Sequence, residues 1–145
     1  MGKVKHPFET RGPFGLYYET ILKPSLETAV GEPLLKTFMG LDTMDFEGET
    51  CYVELKTRGD QYHYTQSFIK KDGWLLPSCK IHRAREEVKK GKKVVFFYFW
   101  TAGKSLWRWD FNEEGLLDCK EEYPEWHHDK QKQTFIKEHH WVRVY

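Results

Sequence analysis

The chain has 145 residues and a mass of 17.4 kDa, enough for one domain with a sizeable core. Its 10 Phe, 8 Tyr and 6 Trp exclude a mostly disordered chain, and no apolar run approaches the roughly 20 residues that span a bilayer. Three scattered cysteines, Cys51, Cys79 and Cys119, exclude a disulfide-stapled miniprotein and point to an intracellular, reducing compartment such as cytoplasm or nucleus, and the formal net charge of +1 weighs at first against a strongly basic nucleic-acid binder.

Met1 to His6 has no apolar h-region, so no signal peptide is expected; His6 also stands where a myristoylation motif needs Ser or Thr. Pro7, Gly12 and Pro13 predict an extended lead-in. A helix is expected from Gly15 to Leu22, interrupted or kinked at Pro24. Ser25 then caps a second helical stretch that ends near Gly31. Leu41 to Phe46 and Thr50 to Arg58 flank Glu47-Gly48 and read as a hairpin. Ser78 to Lys90 reads as a helix with Ile81, Ala84 and Val88 on its apolar face, capped by Ser78 and closed by Gly91. Val94 to Trp100 is an unbroken apolar run, expected as a strand buried on both faces. Leu106 to Phe111 alternates as a half-buried strand, and Trp141 to Tyr145 is the last strand-like piece. With no repeat or long linker, this order predicts one α/β domain, residues 1–145, with a mixed β-sheet flanked by helices.

The charge is unevenly distributed. Residues 51–108 hold 13 basic and 5 acidic side chains, a net of +8, between acidic ends of −3 and −4. A neutral total therefore conceals a basic middle third, a candidate phosphate-facing surface. Within it, Lys89, Lys90, Lys92 and Lys93 also fit a solvated helix end, where cations favour the dipole.

The segment from Gly40 to Arg58 carries the most chemistry. Alternation along a strand puts Tyr52, Glu54, Lys56 and Arg58 on one face, about 7 Å apart, with Cys51, Val53, Leu55 and Thr57 on the other. With the turn at Glu47-Gly48, a three-residue turn sets Asp42 opposite Glu54 and a two-residue turn sets it opposite Val53. Asp45, nearer the turn, is expected roughly 10 Å or more from Glu54 along the strand. Asp42 and Glu54 are thus the expected carboxylate pair, suited to Mg²⁺ or Mn²⁺. Lys56 beside them can orient or deprotonate a water or balance charge on a phosphate, a set able to support metal-assisted phosphodiester hydrolysis.

Asp42, then twelve residues on Glu54-Leu55-Lys56 in the second hairpin strand, resembles the PD-(D/E)xK nuclease superfamily; Val53-Glu-Leu-Lys-Thr-Arg58 is similar to a strand of its small members. The likeness spans about residues 15–111, leaving 112–145 as a C-terminal extension. It implies a restriction-endonuclease-like core, one or two Mg²⁺ or Mn²⁺ ions, and hydrolysis of DNA. It implies Asp42, Glu54 and the Leu55 carbonyl as metal ligands and Lys56 as the catalytic lysine. Leu41 stands where many members have proline. Glu87-Val-Lys89 matches Glu-x-Lys too, but on a helix with no aspartate hairpin before it. The superfamily often adds a helix glutamate, for which Glu19 and Glu27 compete. Glu19 is favoured because Glu27 follows the Ser25 cap and has a capping explanation. Gln66 is a further candidate near the reaction centre, and Arg58, Lys80, Arg83 and Trp107 are candidate nucleic-acid contacts. Trp109 shares a face with Trp107 and can stack on bases or pack in the sheet.

The small size is similar to phage, large-virus or junction-resolving nucleases, the last of which requires a homodimer. The alternative is a non-catalytic nucleic-acid-binding module on the same fold. Cys119, His127, His128, His139 and His140 form a looser zinc-like set, without a Cys-x-x-Cys pair and with adjacent histidines that cannot both easily turn inward.

Overall fold

The apolar run at 94–100 forms the centre of the molecule. The computed structural model describes residues 7–37, 44–58, 73–122 and 132–145, with side chains from residue 15 onward. Its helices are α1 (Pro7–Val30) and α2 (Ser78–Lys89). The strands are β1 (Leu35–Lys36), β2 (Phe46–Glu47), β3 (Cys51–Arg58), β4 (Trp74–Pro77), β5 (Lys93–Trp100), β6 (Ser105–Asp110), β7 (Lys120–Glu122), β8 (Gln133–Ile136) and β9 (Val142–Arg143). Six of them form a sheet in the order β1-β2-β3-β5-β6-β9, and β4-β8-β7 form a second sheet. β3 and β5 run parallel, from Cys51 opposite Lys93 to Arg58 opposite Trp100, while their outer neighbours pair antiparallel. The fold is therefore α/β with a mixed sheet, as expected. A parallel pair needs a crossover connection, and α2 lies in it.

Both faces of the large sheet are covered, and this explains the unbroken hydrophobicity of β5. Val95, Phe97 and Phe99 point to one side, where they pack with Leu22 and Leu26 of α1 and with Val53, Leu55 and Leu106. Val94, Phe96, Tyr98 and Trp100 point to the other, against Ile81 and Ala84 of α2 and the second sheet. On that side Trp74, fully buried, lies with ring centroids 5.3 Å from Tyr98, 5.4 Å from Trp100, 5.3 Å from Trp107 and 5.1 Å from Trp141. These separations fall in the range of favourable aromatic pairs.

Several local expectations are corrected. No extended lead-in is seen at 7–13: α1 begins at Pro7, because a first-turn proline forfeits no intrahelical hydrogen bond. Nor does Pro24 interrupt it. Thr20 and Pro24 lie on the exposed face, where water can serve the Thr20 carbonyl, while Leu22 and Leu26 hold the opposite face in the core. Ser25 is consequently inside the helix and caps nothing. The helix does stop before Gly31, whose φ of 81° is the left-handed conformation glycine tolerates.

At α2 the preceding residue is Pro77, and the Ser78 hydroxyl bonds Thr134 of β8 at 2.7 Å rather than capping the helix. Val88 is exposed, and Glu87 takes the buried place, with Arg83 Nε 3.0 Å away. Among the described residues no helix is long and apolar enough to cross a membrane, and all three cysteines are unpaired.

Candidate active site

β3 carries the centre of the site. Cys51, Val53 and Leu55 are buried toward α1, which turns Tyr52, Glu54, Lys56 and Arg58 toward the other face. Glu54 is only 2% exposed. Its carboxylate lies between two ammonium groups: Lys56 Nζ is 3.7 Å from Oε1 and Lys80 Nζ, from the first turn of α2, is 3.3 Å from Oε2. Lys80 is thus a buried member of this cluster, carried there by α2 as its Ile81 and Ala84 pack against β5.

The hairpin register differs from the sequence expectation. Phe46 faces Val53 and Glu47 faces Tyr52, so Glu47 is in the strand, the turn falls at Glu49-Thr50, and the aspartate that continues this register opposite Glu54 is Asp45. The Gly48 N–H donates to the Cys51 carbonyl at 2.7 Å and closes the turn. Glu32 fastens it from outside, accepting hydrogen bonds from Thr50 N at 3.0 Å and from the Thr50 hydroxyl at 2.5 Å. Those bonds hold the Glu32 carboxyl down to about 2. Gly48 leaves room for this approach, since a Cβ there would come within 3.0 Å of the Glu32 side chain and 3.2 Å of Leu34 and oblige them to shift. The expected remoteness of Asp45 is therefore corrected: its Oδ2 accepts the Leu55 N–H at 2.8 Å, at the heart of the Glu-x-Lys strand. Asp42 and Gln66 lie outside the described residues.

Two further elements converge on Asp45. Glu19 of α1 and Lys36 of β1 are 2.6 Å apart, and Lys36 Nζ is 3.9 Å from Asp45 Oδ1. Of the two helix glutamates, Glu19 reaches this cluster, whereas Glu27 accepts the Leu34 N–H at 2.8 Å and braces the end of α1. Lys36 was not singled out from the sequence; a lone lysine in a two-residue strand carries no pattern. Glu19, Asp45 and Glu54 are thus interleaved with Lys36, Lys56 and Lys80, a charge-balanced arrangement from five segments of chain.

The carboxylates remain strained electrostatically. Burial, with the Asp45 charge adding to it, pushes Glu54 up to about 8, and burial followed by Asp45 pushes Glu19 up to about 7. A carboxyl whose ordinary value is 4.5 then holds its proton more tightly folded than unfolded, so folding stability is greatest below about 4.5 and is lost as pH rises through the folded values. In EDTA the melting temperature is expected to fall between about pH 5 and about pH 8, and Glu54→Gln is expected to flatten much of that slope. Thermal melts of both proteins across that range check this, and parallel slopes would remove Glu54 as their source.

The remaining sequence-nominated residues divide. Arg58 is half-buried, its guanidinium 5.9 Å from the Tyr98 ring centroid. Arg83 is partly exposed and paired with Glu87. Trp109 is corrected as a base-stacking platform because it is buried, whereas Trp107 is half-buried. Trp109 is buried and stacks on Phe96 at 5.5 Å, while Trp107 packs edge-on to Trp74 and donates its indole N–H to Ser105 at 3.0 Å. The lysine run after α2 is also largely engaged: Lys89 with Glu86, Lys90 with Glu87, and Lys92 with Glu47 at 2.8 Å.

The donor set suits a hard divalent cation. Glu54 Oε2 is sealed from solvent with the Lys80 ammonium 3.3 Å away, and the Asp45 carboxylate accepts the Leu55 N–H. Oxygen donors of this kind match Mg²⁺ or Mn²⁺. The cluster reaches solvent through its lysines, with the Lys36 side chain 26% and the Lys56 side chain 20% exposed.

Comparison with protein-family models, curated proteins and solved structures finds no match to this chain.

Proposed function

We propose that the chain is a metal-dependent nuclease of the PD-(D/E)xK type, hydrolysing phosphodiester bonds in DNA, with a restriction-endonuclease-like core. The observation that carries this reading is the β2–β3 register, which sets Asp45 against the Glu54-Leu55-Lys56 strand. The order of elements supports it: a helix bearing Glu19, an antiparallel pair ending in Glu54-x-Lys56, a crossover helix bearing Lys80, and a parallel strand.

In this reading Asp45 and Glu54 hold the divalent cation, with the Leu55 carbonyl from the same strand. The bound cation supplies an activated water and neutralises charge on the phosphate. Lys56, 3.7 Å from Glu54, would orient that water or take its proton. Glu19 joins the same oxygen set from α1, and Lys36 and Lys80 balance its charge. A pure binding module would gain nothing from buried carboxylates facing a phosphate backbone, which favours catalysis over the non-catalytic alternative.

The test is a cleavage panel of single-stranded, double-stranded and branched DNA and of RNA, with Mg²⁺, Mn²⁺ or EDTA. Cutting of DNA is expected with either metal and none in EDTA. Binding without metal-dependent cutting on every substrate would overturn the reading. The register adds a sharper expectation: Asp45→Asn is expected to lose about 100-fold or more in cutting rate and Asp42→Asn less than about tenfold. The reverse order would return the ligand to Asp42.

A further inference from the structure

Away from the proposed nuclease site, two segments meet beside the outer end of the aromatic core. One follows the 3-10 turn Glu113–Leu116 and carries Asp118; the other is the 3-10 turn Glu138–His140. His140 Nε2 is 2.8 Å from Asp118 Oδ1, and His139 Nε2 is 3.3 Å from Asp118 Oδ2. One ligand atom from each of the three residues lies within 4.8 Å of the other two, and among the described residues this is the one group of its kind.

His139 and His140 meet on one carboxylate without both turning inward, since His139 is 66% exposed and His140 15%. In a helical turn successive side chains point in different directions. Here the chain leaves the turn at Trp141 in extended conformation, and the two rings sit with centroids 4.1 Å apart on the same carboxylate. Both segments are held there by buried tryptophans. The Asn112 side chain accepts the Gly115 N–H at 2.8 Å, and Gly115 lies so close to Trp109 that a Cβ would come within 2.6 Å of its ring. On the other side Trp141 is buried, and its ring centroid is 6.1 Å from that of Trp109. The ligand positions are therefore anchored from beneath, while their outer side is open: His139 is 66% and Asp118 44% exposed.

We infer that Asp118, His139 and His140 form a binding site for a borderline divalent cation, Zn²⁺ by chemistry, with water completing the coordination. Imidazole nitrogens with one carboxylate suit Zn²⁺ far better than Mg²⁺. Tetrahedral bonds of about 2.0–2.1 Å set ligand atoms about 3.4 Å apart, so the present spacing needs only small side-chain rotations. The two imidazoles bind as neutral bases, and any proton displaced goes to solvent. Because the ligands come from the segment after β6 and the turn before β9, the cation clasps the C-terminal strand to the body of the domain.

The test uses the full, untagged chain stripped with EDTA, titrated with Co²⁺ and then Zn²⁺, with visible absorption and melting temperature as readouts. One equivalent of Co²⁺ is expected to give tetrahedral absorption that Zn²⁺ abolishes, and Zn²⁺ is expected to raise the melting temperature saturably. His139→Gln, at an exposed position that does not threaten folding, is expected to weaken Zn²⁺ binding about tenfold or more, as is Asp118→Asn. The double variant His127→Gln, His128→Gln is expected to bind as the parent does. Absence of one-equivalent binding overturns the inference. So does affinity untouched by His139→Gln, or binding abolished by the His127/His128 variant.

Discussion

Glu54→Ala is expected to abolish metal-dependent DNA cleavage, by more than about 100-fold, because it removes the buried carboxylate on which the site is centred. Glu54 is also the counter-charge for Lys56 and Lys80. Removing one partner of a buried pair costs on the order of 3–5 kcal/mol, so the alanine variant alone confuses misfolding with lost chemistry. Glu54→Gln separates the two. It preserves volume and hydrogen-bonding capacity while removing the anion, so it is expected to fold and still not cut. Lys56→Ala is expected to behave likewise, since Lys56 is half-buried and its loss leaves Lys80 on Glu54. Circular dichroism with a gel-based cleavage assay decides the matter. A folded Glu54→Gln protein with parental activity would sink the site.

Trp74→Ala is expected to cost about 3–5 kcal/mol of folding stability, the largest effect of any single truncation in the core. Trp74 is fully buried and its ring lies against those of Tyr98, Trp100, Trp107 and Trp141, joining the second sheet to the first. A domain of this size has about 5–15 kcal/mol in total, so the variant would be close to unfolding at physiological temperature. Trp74→Phe is expected to cost much less. Among the described residues the buried Trp74 indole N–H has no hydrogen-bond partner, so the smaller ring gives up packing while relieving an unsatisfied donor. Urea denaturation of the two variants measures both effects, and an alanine cost below about 1 kcal/mol would contradict this view of the core.

The placement of Asp45 opposite Glu54 shows how a short sequence can carry a strand's pattern but not its register. Glu47-Gly48 is a plausible turn, and with a three-residue turn there Phe46 falls opposite Thr50, on the face of Glu54. The observed register instead sets Phe46 against Val53 in the core below α1. Apolar matching of Phe46 with Val53 was a usable signal, since an odd shift in register exchanges the two faces of a strand. What the local pattern did not contain is the Glu32 clasp on Thr50, made across 18 residues, which stabilises the turn one step later.

The sequence by itself determined the features that depend on periodicity. Alternation in β3 assigned Glu54 and Lys56 to one face and Val53 and Leu55 to the other. Unbroken hydrophobicity marked β5 as the central strand, and helical spacing with Gly91 marked α2. Each follows from geometry repeated every two or 3.6 residues, which a linear reading can detect. Only the tertiary structure decided which residues from different segments meet. It set Asp45 in register opposite Glu54, brought Lys36 beside Glu19, drew Lys80 inward, and turned His139 and His140 onto Asp118. Those contacts are set by packing of whole faces against one another. Their energies come from burial summed over many side chains, and no local spacing encodes that sum.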